Sequence, residues 1–284
     1  MEIKNYGFSL ELEKAHVQKE DWQYLAGISE TCIALIPEGE RMKYLPKGEV
    51  QRGLEDFMDC ASRGPLNIIE TKLNYLVQND LLPQETIEWL ADNDYLTESG
   101  VELSDAFIAI LSGTTDKGNS MKAPINAIHE FGVIPKRMLP ALPSMTFADY
   151  HDPNRITWQM RKMGQDFKSR IKINYEQVKW QDYDVLLKED LLSIAGFAWT
   201  YPVDGEYPKT EATPNHVFID IAHPLHTIFD NYIDSVDGDF IKKLVYDYNF
   251  LGYGYRMYLS LGKLNEIKKK SCFKTFLEAF KNWG

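Results

Sequence analysis

Cys60, His216 and the adjacent pair Asp230 and Asn231 succeed one another in the chain as thiol, imidazole, and carboxylate or amide. Groups of these types can carry out acyl transfer. A thiolate attacks a carbonyl, an imidazole takes up and returns the proton, and the third side chain holds the ring in the productive tautomer. A thiol attacks only as the thiolate, and a free cysteine, with a pKa of about 8.5, is mostly protonated at neutral pH. Two devices lower that value: the partial positive charge of a helix N-terminus, and a nearby imidazolium. Cys60 stands where a polar loop gives way to an amphipathic stretch, and His216 opens a β-rich run, so each device has a source. The tetrahedral oxyanion also needs donors. The backbone N–H of Cys60 is one, and Gln51, the only glutamine between residues 46 and 59, is a second.

The elements that must position these residues are legible in outline. After Cys60, Leu66, Ile69, Leu73, Leu76 and Val77 fall at helical spacing with Glu70 and Lys72 between them, which predicts a helix with one buried stripe. Pro65 suits a first turn, and Gly64 beside it loosens the start. Helices are also predicted over about 84–95 and 104–112, the second capped by Ser104 and stopped by Gly113. Another runs from Pro124 to Phe131. Thr31–Pro37 reads as a buried strand, 140–155 as an irregular linker, 155–175 as a charged helix and 184–194 as a short helix or turn. From His216 the texture changes. Residues 217–221, 227–229, 243–246 and 253–259 are rich in β-branched and aromatic residues. Helices first and antiparallel strands second predict an α+β fold. Residues 263–283 read as a basic amphipathic helix.

The net charge of −11 gives an acidic surface that repels phosphate backbones, so nucleic acid is not an expected partner. No run of about 18 apolar residues predicts a membrane span, and the first residues do not read as a secretory signal. Three cysteines, Cys32, Cys60 and Cys272, form no pairing pattern and suit a reducing compartment, in a host cytoplasm or a virion. His216, His223 and His226 do not read as a metal-ligand spacing, and no cofactor is expected.

Several segments resemble those of papain-like cysteine peptidases. Asp59-Cys60-Ala61-Ser62 resembles the nucleophile segment, and Leu103-Ser104-Asp105-Ala106-Phe107 the start of the family's next helix. Residues 118–127 resemble the substrate loop and its adjoining helix, and Phe131-Gly132-Val133-Ile134-Pro135 the family's Gly-Ile segment. Pro214-Asn215-His216-Val217-Phe218-Ile219 resembles the strand bearing the catalytic histidine, and Gly252–Met257 the late Gly-Tyr strand. His216 lies 156 positions after Cys60, just beyond the range of about 130–150 for papain-type enzymes. An insertion near 145–185 would supply the difference. The chain departs from the family where Met58-Asp59-Cys60-Ala61 replaces Gly-Ser-Cys-Trp. The position six before the nucleophile holds Leu54, with Gln51 nine before. Met121-Lys122 or its neighbours take the place of the substrate loop's glycine pair, and Phe229-Asp230-Asn231-Tyr232 replaces Asn-Ser-Trp-Gly.

The resemblance implies a papain-like α+β domain over 46–262. It would have a helical half at 46–143, an insertion at 144–185 and a β-rich half at 186–262, with the site in the cleft between the halves. Residues 1–45 would form an N-terminal extension. It implies a thiol peptidase or amidase using Cys60, His216 and Asp230 or Asn231, with Gln51 at the oxyanion and a peptide or protein as substrate. Thioester chemistry of this kind also serves acyltransferases and transamidases. Degenerate domains of this texture resemble those encoded by tailed bacteriophages. That implies the alternative of a structural role among virion proteins, with the helix at 263–283 docking on a partner.

Overall fold

The structure, a computed structural model, describes residues 6–16, 35–47, 51–222, 226–232 and 239–261. Among them are nine α-helices: α1 (Leu10–His16), α2 (Arg41–Tyr44), α3 (Cys60–Gln78), α4 (Gln84–Asp92), α5 (Asp105–Leu111), α6 (Lys122–Phe131), α7 (Phe147–Tyr150), α8 (Trp158–Arg170) and α9 (Tyr183–Glu189). A two-residue hairpin joins β1 (Leu96–Thr97) to β2 (Gly100–Val101). The main sheet holds β3 (Ile171–Lys179), β4 (Leu192–Gly196), β5 (His216–Ala222), β6 (Thr227–Phe229), β7 (Ile241–Lys243) and β8 (Phe250–Leu261). Its order is β3-β8-β4-β5-β6-β7, antiparallel throughout. The fold is α+β, with helices in the first half and the sheet in the second, as expected.

The differences from expectation are local. Residues 155–175 are not one helix. Thr157 caps α8 by accepting from the Met160 N–H, and the chain turns extended at Ile171. From there the inward positions Ile171 and Ile173 keep a period of two, and β3 pairs with β8 over nine residues. Part of the span read as an insertion is therefore sheet. Within 184–194 the helix ends at Glu189 and the apolar run Leu192–Gly196 is β4, buried on both faces. The linker at 140–155 contains α7, closed by a reciprocal Thr146–Asp149 capping box. Leu35–Pro37 is not strand but leads into a 3-10 turn. Residues 31–34 and 263–283 lie outside the described residues.

Helix α3 runs through the middle of the molecule, and its polar residues are buried along with the apolar stripe. Glu70 accepts from the Leu103 N–H at 2.6 Å, and Asn74 from the Val101 N–H at 2.7 Å. Lys72 donates to Asp190 at 2.7 Å and to the Met257 carbonyl at 2.6 Å. Arg256 also reaches Asp190, at 2.6 Å. Lys72, Arg256 and Asp190 are thus paired and bonded, the condition under which buried charges are tolerated inside a protein.

Gly64 sets how close α3 comes to the sheet. A Cβ there would lie 2.7 Å from the Ser193 Oγ of β4 and 2.8 Å from a Val217 methyl of β5. Its role is close packing of the first helical turn on the sheet rather than a loosened start. Gly64→Ala should therefore lower stability by about 1–3 kcal/mol through overpacking. Gly252→Ala, where a Cβ meets open space, should change stability little. Urea unfolding of the two variants checks the contrast.

Candidate active site

Asp59 precedes α3 but makes no side-chain cap. Its Oδ1 accepts from Arg63 at 2.8 Å and its Oδ2 from the Tyr150 hydroxyl at 2.5 Å. Arg63 also meets Asp105 at 3.0 Å, tying the start of α3 to α5. Met58 adopts φ +54, a conformation costly for a side chain of this size, in the loop just before Cys60. Cys60 is fully buried. Burial pushes its thiol well up. A hydrogen bond from the Val217 N–H opposes that push, while Asp59, Asp56 and Asp230 add to it. The lowering expected from a helix start and an imidazolium is thus outweighed here by desolvation. The bond to Val217 nonetheless places the thiol against the backbone next to His216.

His216, the first residue of β5, is buried, and its Nε2 lies 2.5 Å from Asp230 Oδ1. Asp230 comes directly after β6, and its N–H donates to the Phe240 carbonyl at 2.9 Å, so the carboxylate is fixed by the β6–β7 connection. Its Oδ2 accepts from the Trp199 indole N–H at 2.8 Å and from Lys242 at 3.0 Å. Burial alone would raise the Asp230 pKa. The His216 ring first, then Lys242, reverse this and hold it at about 2. Asn231 does not face the ring. Its carbonyl accepts from the Gln51 N–H at 3.1 Å, and its side chain lies toward Asn67. Of the two candidates for third residue, the structure sets Asp230 beside His216.

Gln51 is buried in the same place. Its Nε2 lies 3.1 Å from the Tyr6 carbonyl, 3.2 Å from Asp56 and 3.1 Å from the Tyr232 hydroxyl. The Tyr6 oxygen is also 3.3 Å from His216 Nδ1. A carbonyl can only accept and Asp230 accepts on the other side, so the His216 ring lies between two acceptors.

Residues 6–9 form a strap across the cleft. The Tyr6 and Phe8 N–H groups both reach the Asn215 carbonyl at 3.3 Å, while Asn119 donates to Gly7 at 2.9 Å and accepts from Ser9 at 2.9 Å. One edge of the strap thus pairs with the β-rich half and the other with the loop at 118–120. That loop pairs through Asn119, not through Met121-Lys122. Gly7, at φ +99, rests on the Met58 backbone, where a Cβ would come within 2.6 Å. Helix α1 anchors the strap: Glu13 accepts from the Met121 N–H at 2.6 Å and from the Tyr253 hydroxyl at 2.7 Å.

Sequence reading missed Tyr6, Trp199, Tyr232 and Lys242. A glycine between two aromatics at Tyr6-Gly7-Phe8 was the available sign of a backbone held close to something else. Nothing local marked Trp199 or Lys242. It also missed that Asp220, six residues before His226, forms a buried ion pair with it. Among the described residues no group of three or more possible ligands could hold a metal ion, and no helix is long and apolar enough to cross a membrane.

This arrangement of a central helix packed on an antiparallel sheet, with the cleft between, is the papain-like fold. The chain is similar to proCathepsin B S9 from Trypanosoma congolense, with a TM-score of 0.52, 11% identity, and coverage of 90% of this chain and 87% of that one. It is similar to a recombinant stem bromelain precursor at TM-score 0.51 and 11% identity, covering 91% and 78%. It is also similar to the cysteine protease and lectin-like domains of Cwp84, a surface layer associated protein of Clostridium difficile, at TM-score 0.51 and 10% identity, covering 92% and 62%. At such identities the likeness is one of fold. No family model and no curated protein sequence matches the chain.

The strap should be weakly held at Gly7 once that residue is changed. Alanine there must adopt a positive φ, at a cost of about 1–3 kcal/mol, and meets the Met58 backbone besides. Gly7→Ala should raise the rate of Cys60 alkylation by iodoacetamide about tenfold or more, read by peptide-resolved mass spectrometry.

Proposed function

We propose that the chain is a thiol peptidase held latent by its own residues 6–9. Cys60 is the nucleophile, His216 the general base and then acid, Asp230 the residue that orients the ring, and Gln51 with the Cys60 N–H the oxyanion donors. One observation carries the reading: the Tyr6 carbonyl is bonded by the Gln51 amide and faces His216. A peptide carbonyl already occupies the place where a substrate's would be polarised. The papain-like fold supports the same chemistry.

With the strap withdrawn, the Nδ1 edge of His216 is free to take the Cys60 proton. The sulfur then bonds to the substrate carbonyl carbon, the C–N bond breaks, and the imidazolium proton leaves with the amine. Water adds to the thioester, releasing the acid and restoring the thiol. In the strapped state the thiol stays protonated by burial and the carbonyl site is filled, so turnover is blocked twice. Peptide or protein is the substrate class because the strap itself is peptide, held by main-chain bonds on both edges.

Gly7→Ala should cleave fluorogenic peptide amides faster than the unaltered chain. Adding Cys60→Ala should lower that rate by at least about a thousandfold, and Gln51→Ala by about a hundredfold or more. A retained fold with only an assembly role predicts no cleavage by any of these variants. That outcome, with the strap shown to be released, would end the peptidase reading.

A further inference from the structure

Lys242 sits at the centre of β7, opposite Ile228 of β6, and its side chain is buried. An inward lysine on an edge strand has a plain use, since it discourages pairing with another sheet. That use requires a charge near the edge but no particular acceptor inside. Here the ammonium is carried to the Asp230 Oδ2 at 3.0 Å, bonds the Tyr232 carbonyl at 2.6 Å and stands 5.6 Å from the Trp199 ring centre. His216 takes the other carboxylate oxygen. One carboxylate is thus shared between the imidazole and an ammonium.

The sharing matters because of the groups around the thiol. Asp59 and Asp56 approach Cys60 from the loop before α3, and Asp230 from the end of β6. Tyr6 of the strap and Tyr232 also face this cluster. Arg63 is engaged with Asp59 and Asp105. A thiolate formed here would be a fourth anion. An amide at position 230 would orient the ring without adding charge, whereas a carboxylate orients it and repels the thiolate. We infer, on the peptidase reading, that Lys242 is a positioning residue whose ammonium cancels the charge of Asp230, so that this carboxylate holds the His216 ring as a neutral amide would.

Opposed shifts in pH profile are the expected signature. Loss of the ammonium leaves an unbalanced anion beside the ring and the thiol, so both lose protons at higher pH. Loss of the carboxylate alone leaves an unbalanced cation and does the reverse. Loss of both restores the balance. In the full chain carrying Gly7→Ala, the pH midpoint of Cys60 alkylation by iodoacetamide should rise by about one unit in Lys242→Met and fall by about one unit in Asp230→Asn. In the double variant it should return to within about half a unit of the starting value. The limbs of the peptide-cleavage profile should move in the same directions.

A merely structural Lys242 would lower thermal stability without moving the midpoint, and that result overturns the inference, as does a double variant that keeps the Lys242→Met shift. Should Lys242→Met fail to fold, Asp230→Asn decides: a midpoint that does not fall overturns it. The peptidase reading fails differently, through a Gly7→Ala chain that cleaves nothing and whose Cys60 labels like a free thiol with a midpoint of about 8.5.

Discussion

The approach of α3 to the sheet at Gly64 is the constraint on which the site depends. Cys60 is one turn before that glycine, and His216 is the neighbour of Val217, whose methyl lies 2.8 Å from where a Cβ on residue 64 would stand. A helix held farther off would carry the thiol away from the Val217 N–H that now bonds it. The rest of α3 keeps the approach in place. Lys72 and Asp190 fasten its middle to β8 and to the turn before β4, while Glu70 and Asn74 hold the backbone at Leu103 and Val101. The polar groups of this helix thus work as fixed attachments in a region where mobility would separate the two halves of the site.

Charge is the second constraint. The chain carries a net charge of −11, and three aspartates approach the thiol. None of them lacks donors. Asp59 has Arg63 and Tyr150, Asp56 has the Met58 N–H and Tyr232, and Asp230 has His216, Trp199 and Lys242. Each bond draws the carboxylate's field toward its partner and away from the sulfur. The loop before α3 and the segment after β6 are therefore linked through Tyr232 and Asp56. This linkage gathers the three carboxylates beside a thiol on which burial is the larger influence.

The sequence makes the α+β order, the helix after Cys60, the Ser104 cap and most of the late strands legible, because each rests on local periodicity or capping chemistry. It misplaces β3 and β4, since a charged stretch with residues at mixed spacing can serve helix and strand until pairing with β8 and β5 decides. The site is legible only as an ordered list of residue types. The choice of Asp230 over Asn231 depends on which residue the β6–β7 connection turns toward the ring, and one step along an extended chain reverses the facing. Lys242 and Trp199 are invisible for the same reason. For Lys242 the role is created by strand register, which sets it across from Ile228, two residues before Asp230.

The strap shows why latency and competence can share one structure. Gly7 and Gly118 both have positive φ and lie back to back, so that a Cβ on residue 118 would come within 2.2 Å of the Gly7 carbonyl. Two glycines are needed because three backbones, those of the strap, the loop at 118–120 and Met58, meet with no room for side chains. Such a contact is made of main-chain bonds and close packing, and its main-chain bonds are open to another peptide that brings a glycine to the crossing point. Apart from that crossing, the surfaces that hold the strap, the Asn215 carbonyl on one side and Asn119 on the other, bond to main chain. The strap is favoured because it is covalently part of the chain and pinned by Glu13 of α1, which makes its binding intramolecular. A cleft that grips backbone in this way must be vacated before it can serve a substrate. Whatever loosens α1 or the glycine pair would therefore act on the availability of the site, while the His216–Asp230 pair on the other side of the ring stays assembled.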